Sequence, residues 1–319
     1  MESIDADSDD LEILIIEDHS PGRSKIADVV NDFIESSGYC VRDEENENNL
    51  GYDHNIRKLV ATASGDYILF MGDDDLFIQG ALDKYLEFIR QNKEYPYILR
   101  SYISVHGNGI VETFKYLPET IVIPAGEESV TWLFKRSVSL SGFTIRRQEA
   151  QQFATPDLDG TLLYQVYLMS EVCLLHDSVF CDFPVTQAWQ TFRDDKPMFG
   201  ASEAERGRFQ PGAVSADNSI NFTKAYFEVA GYLDQKHGTS LEPRIRMQIS
   251  KYSYPFLSIQ RKNGISQFLR YARRLDKELG LGVSGYFHCY KWGLVILGER
   301  ICDRIIILIK KILGHTPEL

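Results

Sequence analysis

The chain has 319 residues, 44% of them hydrophobic, a formal net charge of −12 and five cysteines. That is an ordinary globular chain, long enough for one large core or two modest ones. The acidic balance argues against nucleic acid as a partner, and an odd number of cysteines without a Cys-x-x-Cys pair argues for a reducing compartment rather than a disulfide framework. The charge is uneven: residues 243–319 carry 14 Lys and Arg against 5 Asp and Glu. An acidic body with a basic tail suits an anionic surface or a polyphosphate ligand at the tail.

In chain order, the apolar run at residues 11–16 predicts a buried parallel strand, closed by Glu17 and Asp18. Ser20 and Pro21 then open a helix through about Ser36, with Ile26, Val29, Val30, Phe33 and Ile34 on one face. A short strand near residues 39–41 leads into an acidic, Asn-rich loop over residues 43–49, and Ile56, Leu59, Val60 and Ala63 mark the next helix. An apolar strand begins at Tyr67 and runs into Asp73, Asp74 and Asp75. A helix over residues 78–92, a strand over 97–104, strands within 111–123 and 139–147, a helix over 160–175 and a strand over 179–183 complete the pattern. Alternating strands and helices predict a doubly wound, mostly parallel α/β sheet with its ligand crevice at the carboxyl ends of the strands. Residues 1–190 form that domain. Residues 189–219, polar and rich in charge, Gly and Pro, read as a mobile loop, and residues 191–319 as that loop plus a basic helical region.

The sequence Tyr67-Ile-Leu-Phe-Met-Gly-Asp-Asp-Asp75 is the most chemical feature, because three adjacent carboxylates repel one another unless a cation neutralises them. Hard oxygen ligands suit Mg²⁺ or Mn²⁺ bridging to a phosphate. A solvated acidic turn is the plainer alternative.

Three segments, Ile13-Leu-Ile-Ile-Glu-Asp-His-Ser20, Asn49-Leu-Gly-Tyr-Asp-His-Asn55 and Ser64-Gly-Asp-Tyr-Ile-Leu-Phe-Met-Gly-Asp-Asp-Asp75, occur in order at separations that resemble a family 2 glycosyltransferase of GT-A fold. The last is similar to bacterial transferases of surface-polysaccharide assembly, including abequosyltransferase-like proteins. The resemblance implies that Asp18 contacts the base of a nucleotide-sugar donor, that Asn49 and Gly51 form the Asn-x-Gly turn, that Asp73 approaches the ribose, and that Asp74, with Asp75 beside it, binds the cation. It also implies a general base shortly before a helix; Asp159, five positions before Tyr164, fits, with Asp157 as its rival and helix capping as the alternative for both. Asp18 has a helix-entry alternative, and Asn55 reads as a structural helix-face residue. Family members open with a strand and helix that would precede residue 11, so the resemblance implies that this opening is missing here, and a truncated, catalytically weak or inactive glycosyltransferase-like protein is the alternative reading.

The implied activity is metal-dependent, inverting transfer of one sugar from a nucleotide sugar to a lipid-linked or oligosaccharide acceptor, at the inner face of the plasma membrane. Gln190-Thr-Phe-Arg193 resembles part of a processive-synthase signature, but Asp194 stands where Trp is expected, which favours single transfer. Of the tryptophans, Trp189 beside the polar loop is the one placed to stack on a sugar. Residues 13–18 also resemble the acidic pocket of a phosphoacceptor receiver, although the spacing from Asp18 to Asp74 is long for one; a nucleotidyltransferase would need a Gly-rich phosphate loop. Finally, Leu294, Leu297, Ile301, Ile305, Leu308 and Ile312 recur at helical spacing over residues 294–313, with Arg300, Arg304, Lys310 and Lys311 off the stripe. An interfacial helix on an anionic bilayer fits that pattern, and so does a helix packed on protein.

Overall fold

The computed structural model describes residues 3–5, 11–106, 109, 111–190, 200, 202–212 and 215–313. Its N-terminal elements are β1 (Glu12–Glu17), α1 (Arg23–Ser36), β2 (Cys40–Glu45), α2 (Tyr52–Thr62), β3 (Tyr67–Leu69), β4 (Leu76–Phe77) and α3 (Ala81–Gln91). The middle of the chain forms β5 (Tyr97–His106), β6 (Val111–Phe114), β7 (Ile121–Ile123), α4 (Glu127–Phe134), β8 (Thr144–Arg146), α5 (Arg147–Gln152), α6 (Tyr164–Leu175) and β9 (Ser178–Gln190). Helices follow: α7 (Glu203–Arg206), α8 (Ala216–His237), α9 (Leu241–Lys251), α10 (Tyr254–Arg261), α11 (Ile265–Leu279), α12 (Gly285–Leu297) and α13 (Glu299–Leu313).

The expected α/β architecture is present, with its strands in two sheets. One is the parallel pair of β1 and β2; the other has the order β3-β8-β5-β9-β4, with β6 on β5 and β7 on β9. The two longest ladders, β1 with β2 and β5 with β9, are parallel, and the short ladders are antiparallel. Residues 3–5 touch elements of both sheets: the Ser3 hydroxyl accepts from Phe77 N on β4, and the Tyr39 hydroxyl, just before β2, donates to Ile4 O.

Alternation along β5 explains how the main sheet is covered on both faces. Tyr97 and Leu99 join the larger core with α4 and α6, whereas Ile98 faces Tyr85 and Ile89 of α3 in a smaller one. The larger core continues without a break through Leu241, Ile245, Leu257, Phe268, Leu275, Phe287 and Leu294 of the C-terminal helices. Between α6 and α8 a buried carboxylate acts as a bolt: Glu171, with no side-chain exposure, accepts from Lys236 Nζ and His237 Nε2, each at 2.7 Å.

Several expected boundaries move. The span 111–123 is two strands, and within 139–147 only Thr144 to Arg146 are extended; α4 lies between, where Glu127 and Glu128 start a helix that buries Val130, Leu133 and Phe134. The helix expected from residue 160 starts at Tyr164, because Gly160 (φ 87°) and Leu162 (φ 63°) are left-handed. Part of the stretch read as a mobile loop is packed: Ser202, Glu205 and Phe209 are each under 5% exposed. Their physical reason is capping, since Ser202 Oγ accepts from Glu205 N to start α7. The Gln190 to Arg193 motif falls largely outside the described residues. The stripe expected as one helix from residue 294 is broken at Gly298 (φ 74°) into α12 and α13, and Leu294 lies in the core.

Candidate active site

The first half of the site is a knot around Asp18, the residue after β1. Its Oδ1 accepts from Leu50 N and Asn46 Nδ2, and its Oδ2 from Gly51 N, all at 2.8 Å. Asn49 Nδ2 donates back to Asp18 O at 2.8 Å. Asp18 is therefore brought together with Asn49 and Gly51, about thirty residues later in the sequence. The carboxylate here holds the entry to α2, which uses three of its roughly four lone-pair sites. Asn49 Oδ1 is buried without a hydrogen-bond partner among the described residues, an acceptor available to a ligand N–H or O–H. Asn55 is structural, its Nδ2 donating to Ile16 O.

Gly51 is required on two counts. Its φ of +85° is left-handed, and a Cβ there would sit 2.3 Å from Ser202 Oγ. The close approach is made by α7, and Glu205 Oε1 accepts from Tyr52 N at 3.0 Å. Ser202 and Glu205 were not among the expected site residues. Their signal was legible as Ser-x-x-Glu, a helix-start pattern, but its partner 150 residues earlier was not.

The second half is the acidic loop after β3. Phe70 is bonded to the 142–143 backbone, and Gly72 N donates to Ser141 Oγ at 3.0 Å. Asp75 Oδ1 accepts from Trp189 N at 3.1 Å, which ties the acidic loop to the end of β9. Asp73 and Asp74 are exposed. From beneath, the loop over residues 139–141 is clamped by Arg100, whose Nε and Nη2 donate to Ser141 O. Among the described residues no three His, Cys, Asp or Glu side chains form a metal cage. The donor set fits Mg²⁺ or Mn²⁺ in another way: one or two carboxylates with the remaining positions filled by diphosphate and water, the usual Mg²⁺ arrangement at phosphate sites.

The base candidates lie against α2 and α8. Asp159 accepts from Arg57 Nη2 at 2.6 Å, with His54 Nδ1 at 4.0 Å. Asp157 accepts from the Tyr232 hydroxyl at 3.1 Å. Neither caps α6, so the capping alternative fails for both; that work is done by Asp53 on α2, which accepts from Leu162 N, Tyr164 N and Thr161 Oγ1. Burial pushes the Asp53 carboxyl up to about 6, against the pull of those backbone donors and with a further push from Asp159. Asp53 was read only as part of a motif, because its role depends on a segment more than a hundred residues away.

Residues 2–151 match the family model Glycosyl transferase family 2. No curated protein matches the sequence. Among solved structures, S. aureus TarS is 12% identical at a TM-score of 0.52, covering 90% of this chain and 46% of that one, so this chain spans about half its length. A structure of TarS residues 1–349 gives 15% identity, TM-score 0.45, 88% and 80%. A mannosyltransferase from Pyrobaculum calidifontis, solved with GDP-Man and Mn²⁺, gives 9%, 0.44, 90% and 77%. The receiver alternative does not survive this fold. The segment that holds Asp18, Asn49, Gly51 and the acidic loop lies within the part that matches the family 2 glycosyltransferase model, and the architecture is GT-A-like.

Proposed function

We propose that the chain is a metal-dependent, inverting glycosyltransferase that moves a single sugar from a nucleotide-sugar donor to a lipid-linked or growing glycan in surface-polysaccharide synthesis. The observation that carries this reading is the acidic loop: Asp73 and Asp74 are exposed just beyond β3, an outer strand of the main sheet, on a backbone pinned by Ser141 and Trp189. Asp74, assisted by Asp75, would hold Mg²⁺ or Mn²⁺, and Asp73 would meet the ribose. When bound, the cation supplies charge stabilisation for the departing nucleoside diphosphate. Asp18 and Asn49 would meet the base, with Asn49 Oδ1 as acceptor.

Asp159 remains the proposed base. Arg57 fixes its carboxylate through a short ion pair, leaving lone pairs to take the acceptor hydroxyl proton. Asp157 is the second candidate. An alternative use of the Arg57 pair is to brace α2 against the segment before α6, and the variants separate the two: a brace predicts lost stability for Asp159→Asn, a base predicts lost turnover with donor affinity kept.

Membrane attachment is part of the proposal. Ile301, Ile305 and Leu308 of α13 are exposed, while Cys302 is buried and Asp303 accepts from the Tyr254 hydroxyl, so an apolar strip points away from the protein. No helix among the described residues is long and apolar enough to cross a membrane. Attachment to the inner face of the plasma membrane would be peripheral, with basic residues adding roughly 1 kcal/mol each near anionic lipid.

The activity is tested by following nucleoside diphosphate release from a panel of nucleotide sugars with Mn²⁺. Release with one donor, lost on chelation and reduced at least a hundredfold in Asp74→Asn, is expected. Release that ignores both would remove the acidic loop from the chemistry.

A further inference from the structure

The one-turn helix α7 is too short to stand by itself, so its place is set by what it touches. On one side it is tied to α8. Gln210 N donates to Asn218 Oδ1 and Asn218 Nδ2 to Gln210 O, each at 2.9 Å, Arg208 pairs with Glu228, and Phe209 is buried. On the other side it meets the turn that opens α2. Glu205, 4% exposed, accepts from Tyr52 N at 3.0 Å, the amide next to the Gly51 N that Asp18 holds. A buried carboxylate is costly without such donors, and the positive end of the α2 dipole favours it here.

A third contact reaches the segment that carries Asp159. A Cβ at Gly160 would sit 2.9 Å from Ala204 O, so the backbone of α7 lies directly against the residue after Asp159. Residues without a β-carbon thus stand at both points of closest approach, Gly51 against Ser202 and Gly160 against Ala204. The helix α2 touches the same segment, through Arg57 on Asp159 and through Asp53 on Thr161, Leu162 and Tyr164. The start of α2, the Asp159 segment and α7 therefore touch pairwise, and a shift of α7 has to move one of the other two or break a contact.

We infer that α7 is a strut that sets the Asp159 segment in register with the donor turn, and that Glu205 is the positioning residue through which it acts. The roles of Asp159 and of the turn rest on the glycosyltransferase reading; the mechanical coupling does not. Glu205 acts through Tyr52 and the Gly51 turn rather than on the reacting atoms. A displacement on the order of 1 Å between a proton acceptor and the reacting hydroxyl costs about a hundredfold in rate, so the strut bears on turnover as well as on stability.

The test uses the full chain with Glu205→Ala and Glu205→Gln, since glutamine keeps an acceptor oxygen for Tyr52 N. Amide hydrogen exchange reports the coupling without any donor. In Glu205→Ala, exchange at least tenfold faster is expected both at residues 50–53 and at residues 158–162, with α3 unchanged, and Glu205→Gln should stay within threefold of wild type. Turnover of whichever nucleotide sugar of the panel is used reports what the strut does: kcat should fall at least tenfold in Glu205→Ala and recover in Glu205→Gln. Faster exchange confined to residues 202–209, or spread evenly over the chain, would overturn the strut. So would coupled exchange with kcat unchanged, which would leave Glu205 a matter of stability alone. A wild type that binds no nucleoside diphosphate would strike the glycosyltransferase reading instead, and the exchange rates would still decide whether α7 joins the two segments.

Discussion

A single side chain on α2 fixes the geometry at the start of α6, and its chemistry can be isolated. Asp53 is 1% exposed and holds the start of α6. With its carboxyl raised to about 6, the folded state retains this proton more tightly than the unfolded chain does. Its contribution is therefore full below about pH 4, falls as pH rises through the window from about 4 to about 6, and is gone above it, on the order of 2–3 kcal/mol in all. Thermal melts of wild type and Asp53→Asn across pH 4–7 should show this slope only in the wild type; parallel curves would contradict it. Gly51 is the neighbouring case. Gly51→Ala combines a left-handed φ with a Cβ against Ser202, and should cost about 2–3 kcal/mol and detach α7 from the turn. A melting temperature within a degree of wild type would show that α7 does not press on this position.

Among elements, α6 and α8 are joined by the Glu171 bolt. Removing the carboxylate takes the buried acceptor away from the Lys236 ammonium and the His237 ring, so Glu171→Ala should destabilise by about 2–3 kcal/mol in denaturant titration, with Glu171→Gln intermediate. Equal stability of all three would mean that the apolar contacts of α6 alone set this interface. The helix α13 makes the opposite prediction, that its outer strip matters to location and not to folding. Ile305→Asp with Leu308→Asp should abolish sedimentation with anionic vesicles while leaving the melting temperature within about two degrees; unfolding, or retained binding, would assign the strip to protein packing. Element types were largely legible beforehand because the apolar periods were strong. The misplaced ends have separate causes: α6 starts four residues late because Leu162 adopts a left-handed backbone that a β-carbon ordinarily disfavours, and α7 lay in a stretch read as a polar loop although its Phe209 is buried.

At the scale of the molecule, one continuous core links the sheet to helices far along the chain, so the C-terminal helices stabilise the face that carries the site. The sequence motifs located Asp18, Asn49, Gly51 and the acidic loop, since each is a local strand end or turn. What they did not contain were the long-range partners: Glu205 on Tyr52, Arg57 on Asp159, and Arg100 beneath Ser141, each decided by which faces the fold brings together. The central claim, that the acidic loop binds a donor diphosphate through a divalent cation, is tested most directly by calorimetric titration of nucleoside diphosphates with and without Mn²⁺, in wild type and Asp74→Asn. Binding of one diphosphate that requires Mn²⁺ and weakens at least tenfold in a folded Asp74→Asn is the predicted result. No binding to wild type, or binding equal in the variant and insensitive to the cation, would contradict it.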